Sequence, residues 1–134
     1  MEKKPVNVQL KNYSLKNVVF DLQECKENTE YRIQFFDSVE SCILNDHSFS
    51  ITFTRSASSD SPFKLEVSYG VTVEADINDL LRNNESISDY ADRKKQDIVK
   101  RLRFPSRASI IISEITRDSG SILVTSPGII ATDK

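Results

Sequence analysis

One histidine and three glycines in 134 residues leave little material for catalysis. A general base needs a nucleophile or an acid within hydrogen-bond reach. His47 lies in Asn45-Asp46-His47-Ser48, which suggests a turn rather than a catalytic set. Gly70, Gly120 and Gly128 are too scattered for a loop whose amides cradle phosphate. Cysteine is limited to Cys25 and Cys42, without metal-ligand or redox spacing. Met1-Glu2-Lys3-Lys4 does not open the apolar segment of a secretory signal, so both thiols are expected reduced in a cytoplasmic protein. No apolar run approaches the ~20 residues that span a bilayer. A charge excess is missing too: the net charge of −2 argues against a general nucleic-acid binder with its basic stripe. Asp76 and Asp79, the nearest thing to a metal pair, read as caps around a loop. No catalytic residue, metal or cofactor is expected.

What is present is an ordinary globular composition, 38% hydrophobic and 28% charged, expected to form one domain over residues 1–134. Its dominant feature is Phe63 to Ala75. Phe63, Leu65, Val67, Tyr69, Val71, Val73 and Ala75 alternate with Lys64, Glu66, Ser68, Gly70, Thr72 and Glu74. Strict period two places one face in a core and the other in water. At ~3.3 Å per residue the run spans roughly 40 Å, far beyond the usual five or six residues. Such a strand needs long neighbours and an apolar cover.

Two alternations precede it, Val6-Val8-Leu10 and Val18-Phe20-Leu22, with Tyr13 and Leu15 out of phase between them. A one-residue slip reverses the buried face, so the change predicts bulges or a bend. Leu22 to Glu30 reads as a polar loop. Tyr31, Ile33 and Phe35 start the next strand, continued by Val39 and Ile43. Leu44-Asn45-Asp46-His47 is a turn, and Phe49, Ile51 and Phe53 mark another strand. Arg55 to Pro62 reads as a hydrophilic connection. Three successive strands joined by short polar links make an antiparallel meander.

After Ala75 the period changes. Asp76 to Leu81 suits a single helical turn, and Ser86 or Ser88 can cap a helix carrying Ile87, Tyr90, Ala91, Ile98 and Leu102. Phe104-Pro105 interrupts it and opens a second helix with Ala108, Ile111, Ile112 and Ile115. Gly120 is placed to end that helix. Ile122 to Val124 suit a last extended piece, and Pro127-Gly128 a closing turn. The basic run Arg93-Lys94-Lys95 reads as a solvated helix face. Phe35-Phe36 stands apart, because adjacent strand residues point to opposite faces. The outward one marks a bulge, a subunit contact or a binding groove.

Four segments, in order, resemble the SecB family of protein-export chaperones. Val8-Gln-Leu-Lys-Asn-Tyr-Ser-Leu-Lys-Asn-Val-Val-Phe-Asp21 is similar to its opening strand and tyrosine-containing bend. Phe63-Lys-Leu-Glu-Val-Ser-Tyr-Gly-Val71 is similar to its fourth strand. Leu102-Arg-Phe-Pro-Ser-Arg-Ala-Ser-Ile-Ile-Ile-Ser-Glu-Ile-Thr116 resembles the start of its main helix, and Ser126-Pro-Gly-Ile129 the step after it. Each motif is loose, but together they cover nearly the whole chain.

The resemblance implies an α+β fold, a four-stranded antiparallel sheet (a meander) with two C-terminal helices on one face, assembling as a dimer of dimers. It implies an ATP-independent holdase that keeps unfolded or nascent polypeptides export-competent in apolar grooves, with SecA as a candidate partner. Tyr31, Phe35, Phe36, Ile110 and Ile111 are the candidate groove residues. Asp21 and Glu66 match the acidic face that meets the motor. Typical members carry an acidic N-terminal extension and a C-terminal tail that this chain lacks, and a shorter, more apolar insertion where residues 76–103 are charged. Both departures bear on motor coupling. The competing expectation is a module of the same fold that binds one specific partner, such as an antitoxin.

Overall fold

The computed structural model describes residues 4–22, 33–58, 63–117 and 122–130; Cys25, Tyr31 and Gly120 lie outside them. Four strands come first: β1 (Val8–Leu22), β2 (Phe35–Asn45), β3 (Ser48–Ala57) and β4 (Phe63–Ala75). Three helices follow: α1 (Ile77–Arg82), α2 (Ile87–Arg101) and α3 (Phe104–Arg117). The alternating run from Phe63 is therefore β4 from end to end.

The strands form one antiparallel sheet in the order β1-β4-β3-β2. β2, β3 and β4 are the expected meander. β1 returns to the far side of β4, which makes the whole a Greek key. Length explains the choice: the register runs from Val8↔Ala75 to Leu22↔Phe63, so β1 uses all of β4. The predicted phase change appears as two register shifts, at Lys11/Ser14 and Leu15/Asn17. Asn12, at φ 56°, sits in the left-handed region that asparagine tolerates. Two shifts restore the original parity. Leu10, Leu15 and Val18 thus stand opposite Val73, Tyr69 and Val67, all on one face.

That face is the core. Phe49, Ile51 and Phe53 of β3 and every odd residue of β4 are buried. α2 covers β2 and β3, while α3 covers β4 and β3. The helices contribute Ile87, Tyr90, Ala91, Ile98 and Val99, then Phe104, Ala108 and Ile112. Phe104 stacks on Tyr69 at 5.2 Å, and Tyr90 meets Phe49 edge-on at 6.2 Å. Asp76 caps α1 by accepting from the Asn78 amide at 2.9 Å. Ser86 caps α2 by accepting from Asp89 at 3.1 Å. Arg103, at φ 59°, turns the chain between α2 and α3. β1 lies beyond the helices, and its Leu15 and Val18 remain 43% and 38% exposed.

Two boundaries differ from expectation. β2 begins at Phe35, with Ile33 and Gln34 outside the strand. The polar connection starts later than Arg55, because β3 continues to Ala57 and Arg55 is fully buried. Arg55 keeps the inward parity of Ile51 and Phe53, and the residue opposite it is Asp37. An aspartate across the strand makes burial of the guanidinium affordable.

Candidate functional site

β2 is an edge strand, so one row of its backbone groups faces away from the sheet. Phe35 pairs with Ala57 on the inner parity and Phe36 with Ser56 on the outer one, as their adjacency predicts. Phe35 packs against the core, and Phe36 is half-buried. Both line an open groove of about 450 Å³ whose other wall is the C-terminal segment, through Leu123, Val124 and Ile130. Val124 is 83% exposed, so the groove has an apolar rim open to solvent.

A buried ion pair positions that wall. Arg55 Nε and Nη2 donate to the two oxygens of Asp37 at 2.7 and 2.8 Å. Nη2 also donates to the Gly128 carbonyl at 2.7 Å. Nη1 donates to Thr125 Oγ1 at 2.9 Å, to the Ser126 carbonyl at 2.5 Å and, more weakly, to the Pro105 carbonyl at 3.4 Å. Asp37 Oδ2 accepts the Ile130 amide at 2.6 Å. A fully desolvated guanidinium needs acceptors for its five N–H groups, and residues 125–130 supply much of that set.

α3 holds the preceding residues. Ser109 Oγ donates to the Thr125 carbonyl and Ser113 Oγ to the Leu123 carbonyl, both at 2.8 Å. The Leu123 amide donates to Thr116 Oγ1 at 3.0 Å. The segment from Ile122 thus presents alternate carbonyls to α3, and among the described residues it carries no strand pairing.

The remaining candidates fall elsewhere. Tyr31 lies outside the described residues. Ile111 packs against the core, and Ile110 is 59% exposed. Neither joins Phe35 and Phe36 at the groove, because a step of about 100° per residue turns Ile110 away from the face of Ile112. Asp21 and Glu66 share the outer sheet face. Asp21 is exposed opposite Lys64, and Glu66 accepts from Asn17 Nδ2 at 3.2 Å. Lysines are interleaved there: Lys11 pairs with Glu74 at 2.8 Å, and Lys16 lies over Gly70.

His47 and Arg93 are committed locally. His47 Nδ1 lies 2.9 Å from Asp46 Oδ1 in the β2–β3 turn. Arg93 makes a bidentate pair with Glu85 at 2.9 and 3.0 Å, which raises the guanidinium's pKa further. Among the described residues, no three His, Cys, Asp or Glu side chains group closely enough to hold a metal ion. No helix among them is long and apolar enough to cross a membrane.

The Arg55–Asp37 pair and the α3 hydroxyls were not singled out from sequence. A signal existed for the first, since both residues continue the inward parity of their strands. Ser109 and Ser113 carried none, because serines on a helix face usually meet water.

No protein-family model matches the chain, and no curated protein matches its sequence. A solved structure matches its fold. It is the SecB-like chaperone Rv1957 of Mycobacterium tuberculosis, in complex with a ChAD peptide from the antitoxin HigA1 (Rv1956). The likeness covers 89% of each chain with a TM-score of 0.63 at 6% sequence identity. The fold is therefore that of the SecB-like chaperones, an antiparallel sheet roofed on one face by helices.

Proposed function

We propose that the protein is an ATP-independent holdase that binds unfolded polypeptides through the groove at the β2 edge. The observation that carries this is the apolar groove beside β2, an edge strand of the sheet among the described residues, on a fold shared with a peptide-binding chaperone. Clients rich in apolar and aromatic residues would bury their side chains against Phe35, Phe36 and Val124. Each Å² of apolar surface removed from water contributes roughly 25 cal/mol. Burial has no direction, so many sequences qualify, and backbone hydrogen bonds to the β2 edge add to it.

Aggregation of a chemically unfolded reporter enzyme, followed by light scattering, tests this. The wild-type chain at stoichiometric amounts is expected to suppress scattering, and Phe36→Ala with Val124→Glu to suppress it less. Equal scattering from wild type and an inert protein of the same size ends the proposal.

The antitoxin peptide on the structural neighbour favours a second reading, a module for one dedicated partner. One stoichiometric complex recovered from cells supports it, and a broad mixture of clients supports the holdase. Assembly as a dimer of dimers, near four times 15.2 kDa by light scattering, belongs to the same proposal. So does cytoplasmic residence. Asp21 and Glu66 are the proposed contacts for a SecA motor, tested by SecA binding to Asp21→Lys and Glu66→Lys.

A further inference from the structure

Residues 122–125 are held on α3 in an unusual way. Ser109 donates to the Thr125 carbonyl and Ser113 to the Leu123 carbonyl, and Thr116 accepts the Leu123 amide. All three contacts read backbone and ignore side chains. The spacing explains why they fit. Four residues of helix rise about 6 Å, and two residues of extended chain advance about 6.6 Å. Hydroxyls at i and i+4 therefore meet alternate carbonyls of an extended strand. Ile122 and Val124 meanwhile stay 57% and 83% exposed. The segment sits on α3 as a bound peptide would, gripped by its main chain with half of its side chains free.

The two halves of the C-terminal segment are held unequally. Residues 126–130 are anchored by the buried Arg55 and Asp37, through charge-assisted hydrogen bonds. At Ile122 to Val124 the backbone is held instead by bonds to the neutral hydroxyls of Ser113 and Thr116. Leu123 and Val124 of the weaker half line the groove beside Phe35 and Phe36, together with Thr125 and the anchored Ile130.

We propose that Ser109, Ser113 and Thr116 form a backbone-reading track for extended polypeptide. Residues 122–125 occupy it as an internal stand-in; an incoming client segment displaces them, giving up the Thr125 hydroxyl's bond to Arg55, while Arg55 keeps 126–130 in place through the carbonyls of Ser126 and Gly128. This rests on the holdase reading and gives its groove a second wall that recognises main chain. The client chemistry follows from the occupant, Ile-Leu-Val-Thr: an extended run of branched, mostly apolar residues with free carbonyls at every second position.

The test uses a fluorescein-labelled, unstructured peptide of alternating valine and threonine. Leu123→Ala removes the packing that holds the stand-in and leaves the track intact. Binding by anisotropy is expected to tighten about fivefold, since freeing the track raises the competent fraction. Adding Ser109→Ala and Ser113→Ala is expected to cancel that gain. Saturating peptide on the wild-type protein provides a second measurement. The amide resonances of Ser109, Ser113 and Thr116 should shift, and exchange at Leu123 should accelerate. Peptide bound with these resonances unmoved overturns the track and leaves the groove at Phe35 and Phe36 standing. Peptide bound by no variant overturns the groove reading itself.

Discussion

Arg55 and Asp37 stand directly opposite each other on β3 and β2, both buried, and the guanidinium that closes their pair also binds the carbonyls of Ser126 and Gly128. One contact thus ties the sheet to the chain's last described segment. Desolvating two charges offsets most of their attraction, so such a pair adds little net stability. Its consequence is positional: it sets where the groove wall lies.

Removing one partner leaves the other charged and buried. Asp37→Ala is expected to destabilise the protein by about 3–5 kcal/mol in urea unfolding. Replacing both, with Asp37→Leu and Arg55→Met, should recover much of that loss while releasing residues 126–130 to faster amide exchange. A double variant no more stable than Asp37→Ala would contradict the account.

Ile110 and Ile112 are two residues apart on α3 but have opposite environments, 59% and 0% exposed. Ile112→Ala is expected to lower stability by about 2–5 kcal/mol, through lost transfer energy and the cavity left behind. Ile110→Ala should stay within about 0.5 kcal/mol for the isolated chain. A larger effect that depends on protein concentration would place Ile110 in a subunit contact.

The start of α2 offers a sharp contrast between neighbouring serines. Ser86 accepts the Asp89 amide, and Ser88 is exposed within the first turn. Ser86→Ala is expected to cost about 1 kcal/mol by thermal unfolding, whereas Ser88→Ala leaves the midpoint nearly unchanged.

Burial holds the Tyr90 phenol above its ordinary value of 10.0, against the lowering effect of Arg93. The folded chain keeps this proton longer than the unfolded one. Its contribution is whole below pH 10.0 and is lost as the pH rises through the folded value. Tyr90→Phe should flatten that part of the urea midpoint's alkaline decline that sets in above pH 10.0. Tyr69, raised by burial too, leaves a remainder. Glu74 works in the opposite sense. The hydrogen bond from Lys11 lowers its pKa, so its contribution is present above 4.5 and fades as the pH falls through the lower folded value.

Much of the architecture was legible because its signals are local. Odd-parity apolar residues marked β4 from Phe63 to Ala75, and the parity change around Tyr13 announced the bulges of β1. Asp76 and Ser86 were readable as caps from residue type and position. The groove was half legible. Phe35-Phe36 announced an aromatic on each face, but nothing near them named Val124 or Ile130, about ninety residues on, as the opposite wall.

By itself the sequence determined which residues face inward, since period two and period 3.6 operate between near neighbours on the chain. It therefore specified a sheet roofed by helices. Only the tertiary structure decided that β1 joins β4, that Arg55 leaves water, and that two helix serines grip a distant backbone. The physical reason is that desolvation and hydrogen bonding depend on what arrives across the gap. Arg55 and a solvent-facing arginine look alike until Asp37 and the carbonyls of Ser126 and Gly128 are in place.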